Sequence, residues 1–285
     1  MLGAIIGDMV GSVYEFHPIK TKEFNIFDKR SGMTDDSLLT IAVARILLRH
    51  YPIQYNEEAL ESIKKDLVNE FIRTWRCYPR AGFGGKFFEW ARHASATGEA
   101  EPYNSYGNGS AMRISPVGWI AKNEGEVKQL SKAVTEITHN HPEGLKGAEA
   151  VAMCIYLARN GYSKEQIKER MINDYYPEIA TLNFDDLVDN YEFSEICQKS
   201  VPQAIYCFLI SESLEDAIRN CVAIGGDCDT TGAMAGAIAE AYYQRDKLSE
   251  FEDKYLYFMI EPYVEDLIKE FHKTIGSKKF DKEGK

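Results

Sequence analysis

Two short runs of this chain concentrate oxygen ligands. One reads Gly225-Gly226-Asp227-Cys228-Asp229-Thr230-Thr231-Gly232, the other Met33-Thr34-Asp35-Asp36-Ser37. Each sets two carboxylates and a hydroxyl at the expected start of a helix. Such all-oxygen donors suit hard cations such as Mg²⁺ or Mn²⁺. Alike in chemistry and far apart in sequence, the two runs predict a site for two metals that the fold must close. Helix capping competes with that reading, because acids and Thr favour any helix N-terminus through side-chain bonds and the macrodipole. It accounts well for Thr34-Asp35-Asp36 before Leu38-Leu39. It accounts less well for Asp227, where a glycine-flanked turn presents two carboxylates together at a cost in repulsion unless a cation lies between them. The twelve-residue ligand spacing of an EF-hand is absent.

Other polar residues stand in settings that demand an explanation. Asp8 lies in a small-residue helix and needs a buried partner or solvent. Glu15 follows that helix, just before Phe16-His17-Pro18, which should end the helix and begin a loop. Ser105-Tyr106-Gly107-Asn108-Gly109-Ser110 is a loop whose glycines let backbone N–H groups approach an anion closely. Thr138-His139-Asn140-His141-Pro142 ends one helix and starts another. His139 and His141 are conceivable metal ligands, but no Cys or carboxylate nearby in sequence completes a zinc site.

The elements that must position these residues are helices. Leu39, Val43 and Ile46 share a face, as do Leu60, Ile63, Leu67 and Phe71, then Val127, Leu130, Val134 and Ile137. Leu145, Ala148, Ala152 and Ile155 repeat the period, and so do Leu214, Ala217, Ile218 and Cys221. Ser163 and Gln166 have capping-box spacing, and Ser213 with Asp216 is a looser version. Alternating strand patterns are absent, so the expected fold is all-α, one compact many-helix domain over 1–275 with a polar tail over 276–285. Gly3, Gly7 and Gly11 lie on one helix face, and Gly232, Gly236 and Glu240 on another. A helical glycine costs about 1 kcal/mol against alanine, so these faces predict close helix–helix contact. The stretch Asn173–Pro202, with five acids between Asp185 and Glu195, reads as a solvated loop with short helical pieces and no chemistry.

Bulk properties exclude several classes. A net charge of -11 over 285 residues opposes general nucleic-acid binding. No apolar run approaches the roughly 18 residues of a membrane helix, and Asp8 interrupts the apolar start too early for a signal peptide. Six cysteines without paired spacing read as reduced thiols of a cytoplasmic protein.

Taken together, Gly7-Asp8-x-x-Gly11-x-x-x-Glu15, Thr34-Asp35-Asp36-Ser37, Gly107-Asn108-Gly109, Thr138-His139 and Gly225-Gly226-Asp227-Cys228-Asp229-Thr230-x-Gly232 resemble the motifs of the ADP-ribosylglycohydrolase family, in its order and across nearly the whole chain. The resemblance implies an all-α fold with two Mg²⁺ ions, or Mn²⁺ in their place, in a central cleft. It implies hydrolysis of the glycosidic bond that joins ADP-ribose to a modified side chain or a small acceptor. By position, Thr34, Asp35 and Asp36 resemble the ligands of one metal, and Asp227, Asp229 and Thr230 those of the second. Glu15 resembles the mobile acid beside the metals, and Glu15 and Asp36 are the candidate catalytic groups. Ser105, Tyr106, Gly107 and Asn108, with His139, resemble the groups that hold the diphosphate and adenosine. The partner implied is an ADP-ribosylated protein or a small ADP-ribosyl compound. Ser37 in place of Thr, Glu240 in place of a common glycine, and the His-Asn-His-Pro-Glu stretch depart from the pattern. Two rivals remain: a non-catalytic ADP-ribose-binding or structural member of the same fold, and a two-metal phosphoesterase.

Overall fold

The computed structural model describes residues 1–280 and is built of helices. Of the expected tail, 281–285 lie outside the described residues. The helices are α1 (Leu2–Gly11), α2 (Asp35–Arg49), α3 (Glu57–Cys77), α4 (Gly85–Thr97), α5 (Ser115–Ile120), α6 (Glu124–Glu136) and α7 (Pro142–Arg159). They continue as α8 (Lys164–Asp174), α9 (Phe184–Asn190), α10 (Cys197–Leu209), α11 (Leu214–Ile224), α12 (Cys228–Tyr243), α13 (Glu250–Met259) and α14 (Pro262–Thr274). Two 3₁₀ turns, Asn108–Ser110 and Pro177–Thr181, complete the set, and no strand occurs among the described residues.

At the centre α1 packs along α12. Every residue of α1 is buried, as is α12 from Cys228 through Ala241. Helices apolar on all sides belong in a core, and here other helices surround the pair. Their glycine faces meet as the spacing required. A Cβ on Gly7 would run into the carbonyl of Gly232, and one on Gly232 would sit 2.7 Å from the Gly7 oxygen. Gly3 meets Gly236 in the same way, and Gly11 meets the backbone of Cys228 and Asp229. This contact fixes the end of α1 against the start of α12, and so places Asp8 next to Asp229.

The amphipathic faces expected on α2, α3, α6, α7 and α11 are the buried faces, although Leu60 and Leu145 are only half-buried at the ends of theirs. Ser163 and Gln166 form the full capping box. The looser pair differs as its shorter acid dictates: Ser213 accepts from Asp216 N, while Asp216 reaches back to Glu212 N instead of to the cap.

Two expectations need correction. The stretch Asn173–Pro202 is not a solvated loop throughout: Tyr176, Ile179 and Cys197 are buried, and Cys197–Pro202 belong to α10, with Pro202 inside that helix. The helix before Glu15 also stops earlier than Phe16-His17-Pro18, at Gly11, and hydrogen-bonded turns carry the chain onward. At the far end of α12, Glu240 is wholly buried and accepts from the Met1 ammonium, from Gly3 N at 2.8 Å and from Lys279 Nζ at 3.2 Å. Lys279 also pairs with the buried Glu252. A glycine at 240 could not hold this ion cluster, so the departure at Glu240 anchors residues that follow α14.

Candidate active site

The acidic turn depends on two glycines. Gly225 and Gly226 both adopt positive φ, 71° and 72°, which residues with a Cβ rarely do. A Cβ at Gly226 would also lie 2.6 Å from the Tyr191 ring. The turn ends in Asp227, the N-cap of α12, but the Asp227 side chain makes no capping bond. Instead Asp227 Oδ2 accepts from Asn108 Nδ2 at 2.6 Å. Asp229, in the first turn, accepts from Thr230 N at 2.8 Å. Capping therefore explains Asp229 in part and leaves Asp227 free for other work.

The second acidic run starts α2. Thr34 is its N-cap and accepts from Asp36 N at 3.2 Å. Asp8 answers the burial question raised by its position. Its Oδ1 accepts from Thr34 Oγ1 at 2.7 Å, and its Oδ2 accepts from Thr34 N at 2.9 Å, Ser37 N at 3.0 Å and Ser37 Oγ. These bonds join α1 to the start of α2. They aim Asp35 and Asp36 at the acidic turn, where Thr230 Oγ1 donates to Asp36 Oδ2 at 3.3 Å.

Carboxylate oxygens of Asp8, Asp36 and Asp229 come within 4.8 Å of one another, and so do those of Glu15, Asp227 and Asp229. Asp229 belongs to both groups. With its oxygens already taken by four donors, Asp8 orients the site and is the poorest candidate ligand of the five. Asp36 Oδ1 is the opposite case, buried with no hydrogen-bond partner. An orphaned carboxylate oxygen facing other acids is what a cation would satisfy.

The electrostatics agree. Burial, and then the Asp229 charge, raise Asp35 and Asp36 well above the usual carboxylate range. Burial and Asp227 do the same to Asp229. Asp227 is raised to about 6 by burial, against the bond from Asn108. Asp8 also rises to about 6 by burial, against its hydroxyl and amide donors. Glu15, half-buried, is pushed to about 8 by burial and by Asp229.

These acids floor a cleft of about 510 Å³, within the ordinary range of small-molecule sites. Thr34, Asp35, Asp36, Asp227, Asp229, Thr230 and Glu15 line it. Ser105, Tyr106, Gly107, Asn108 and His139 line it too, so these sequence-selected residues share one cavity, while Asp8 and His141 are not among its lining residues. The glycine loop is held from both directions. Ser105 Oγ accepts from Gly107 N at 3.1 Å, and Asn108 N donates to Glu195 O at 2.8 Å. His139 packs under the loop, its Nδ1 2.8 Å from Thr138 Oγ1. His141 faces elsewhere and caps α7 by accepting from Glu143 N at 3.1 Å.

Several lining residues were not legible in the sequence. Glu195 and Ile196 border the cleft from the stretch expected to lack chemistry, as do Gly82 and Gly84 before α4 and Gly85 and Lys86 at its start. Arg113, wholly buried, also lines it. Lys20 secures this wall: its Nζ donates to Ile224 O at 2.7 Å and to Tyr191 O at 3.0 Å, tying the loop after Glu15 to both the acidic turn and the 191–196 segment.

The sequence model of the ADP-ribosylglycohydrolase family matches residues 1–276. The chain belongs to the ADP-ribosylglycohydrolase family. Among its relatives is ADP-ribosylhydrolase ARH3 of Mus musculus, 26% identical over 320 residues that cover 88% of this chain and 84% of that protein. ADP-ribosylarginine hydrolase Tri1 of Pseudomonas putida (strain GB-1) is 25% identical over 258 residues, covering 85% and 69%. The fold matches a solved ADP-ribosylglycohydrolase-related protein complex with a TM-score of 0.71 and 22% identity, over 97% of each chain. Family membership and the acid floor thus meet in one cleft. No helix among the described residues is long and apolar enough to cross a membrane, and all six cysteines are free.

Proposed function

We propose that this protein hydrolyses the glycosidic bond between ADP-ribose and its acceptor, with divalent cations held in the acidic floor of the cleft. The observation that carries the reading is the sharing of Asp229 between two acid groups in a cleft that a glycine loop also lines. Relatives that are ADP-ribosyl hydrolases support the reaction class. The acceptor is a protein side chain or a small molecule, and the six free thiols support a reducing, cytoplasmic setting.

The residues present fit a pair of hard cations. Asp36, with its orphaned oxygen, joins Asp35 and Thr34 for one, and Asp227 and Thr230 serve the other, with Asp229 between. Mg²⁺ is the expected ion and Mn²⁺ a substitute, since every donor is oxygen. When bound, such ions supply Lewis acidity that orients ribose hydroxyls and lowers the pKa of water.

The side chains do the rest. Gly107 and Gly109 let the His139 ring come up close behind the loop that would hold the diphosphate. Tyr106, partly exposed at the rim, offers a ring to the adenosine half. Bond cleavage at the ribose anomeric carbon needs a proton taken from the attacking water and a proton given to the leaving nitrogen or oxygen. Glu15 suits proton transfer at its carboxyl oxygens: it reaches the acid floor from the turns after α1, and burial together with Asp229 raises its pKa in the metal-free protein. Asp36 is the alternative base.

The test is product analysis on arginine-, serine- and nucleobase-linked ADP-ribose with Mg²⁺. Intact ADP-ribose and the free acceptor are expected. AMP with the phosphoribosylated acceptor would mark a two-metal phosphoesterase, and binding without turnover a non-catalytic member.

A further inference from the structure

Behind the glycine loop lies a buried polar relay that the mechanism above leaves unused. Arg113 has no exposure at all. Its guanidinium stacks on the Phe71 ring, 4.5 Å from the centroid, and Nη2 donates to Thr138 Oγ1 at 2.7 Å. The same hydroxyl lies 2.8 Å from His139 Nδ1 and 3.5 Å from Thr135 O.

Proton counting and the buried charge together set the direction of the relay. A guanidinium only donates, so Thr138 Oγ1 must accept from Arg113. The hydroxyl then has one proton to place, on the ring nitrogen at 2.8 Å, on the carbonyl at 3.5 Å or toward the neighbouring Tyr103 phenol. The 2.8 Å contact is a hydrogen bond in either direction, but the carbonyl is a poor acceptor at 3.5 Å, and the adjacent guanidinium charge favours a lone pair on Nδ1 over an Nδ1–H. If the proton goes to the ring, Nδ1 is an acceptor and the neutral imidazole carries its hydrogen on Nε2. That nitrogen faces the loop: Cβ atoms built on Gly109 and Gly107 would lie 3.3 and 3.6 Å from it.

We infer that Arg113, acting through Thr138, is a positioning residue that holds His139 as its Nε2–H tautomer, so that the ring presents a donor to an anion cradled by Gly107–Gly109. Burial and the neighbouring Arg113 charge also hold the imidazole well below its usual pKa, which keeps the ring neutral. The tautomer is independent of what the cleft binds. Its use as a donor to the diphosphate rests on the function proposed above.

The test is long-range ¹H–¹⁵N correlation on full-length, ¹⁵N-histidine-labelled protein, with the His139 signals assigned by difference against His139→Gln. The wild-type ring is expected to show a protonated Nε2 and a bare Nδ1. Thr138→Ser should keep that pattern. Thr138→Val and Arg113→Met should yield mixed tautomers, and ADP-ribose affinity in each should fall about tenfold, the scale of one hydrogen bond to a charged group. A wild-type Nδ1–H tautomer or an imidazolium at neutral pH would overturn the inference, even if no variant folded. So would an unchanged tautomer in a folded Arg113→Met protein. An altered tautomer with unchanged ADP-ribose affinity would keep the relay and remove its link to the diphosphate.

Discussion

Asn108 donates from Nδ2 to Oδ2 of Asp227 at 2.6 Å. The bond joins the glycine loop directly to the acidic turn, 119 residues away in sequence, within the lining of the cleft. It orients a carboxylate proposed as a metal ligand from a loop proposed to hold substrate, so loss of the amide should be felt on both sides. Asn108→Ala is expected to weaken Mn²⁺ or Mg²⁺ binding about 10–100-fold, the usual effect of removing a partner behind a ligand. Calorimetric metal titration checks this. Unchanged affinity in a folded variant would show that Asp227 needs no such support.

The glycine seam makes a second prediction. Gly7→Ala forces a methyl into the Gly232 carbonyl, with no flexible side chain to yield. Overpacking of this kind costs about 3 kcal/mol, more if the backbones cannot separate. Because Asp8 follows directly, the variant should lose metal affinity together with stability. Gly32→Ala is the control, since nothing lies within 4 Å of its added Cβ. Urea unfolding of both proteins separates the two cases, and equal midpoints would contradict the packing account.

The acid floor predicts an unusual pH dependence. Asp8 and Asp227 titrate at about 6 and Glu15 at about 8 in the fold, against ordinary values of 3.8 and 4.5. Raised carboxyl pKa values mean that the folded state binds more protons than the unfolded chain. Their contribution is therefore full below about pH 4 and is lost as pH rises toward about 8. Relative to wild type, metal-free Asp227→Asn should lose less melting temperature across that interval and be at least as stable at its alkaline end. Mg²⁺ should reverse the loss in wild type and do little for the variant. Thermal melts in chelator and in Mg²⁺ decide it. A variant strongly destabilised without metal would make Asp227 a structural partner.

The parts of this architecture legible in the sequence are those carried by residue type and period. Three glycines at four-residue spacing on one segment and two on another specify a close contact, and paired acids with hydroxyls specify oxygen chemistry. The site features that escaped are carried by backbone or by distant partners. Glu195 enters through its carbonyl to Asn108 N, and an acid-rich stretch gives no sign of that. Asp8 is visibly in need of a partner, but its donors come from Thr34 and Ser37, 26 and 29 residues further on. Lys279 looks like part of a polar tail until Glu240 and Glu252 supply its buried counter-charges.

Glu15 should separate turnover from binding. It lies on the hydrogen-bonded turns after α1, and a half-buried carboxyl surrounded by other acids does not hold the fold together. Glu15→Gln is expected to keep the melting temperature and at least one bound metal, while turnover falls about 10²-fold or more. Steady-state kinetics and metal analysis on one sample check both halves. Near-normal turnover would leave Asp36 as the remaining candidate base.

The most direct measurement is ADP-ribose release as a function of Mg²⁺ concentration, for wild type and for Asp229→Asn, the acid common to both groups. Wild type should be inactive in chelator and regain activity as Mg²⁺ is added. Asp229→Asn should stay folded and inactive at every Mg²⁺ concentration. Equal release with and without chelator, or normal release by Asp229→Asn, would contradict the account of a metal-dependent glycohydrolase centred on that carboxylate.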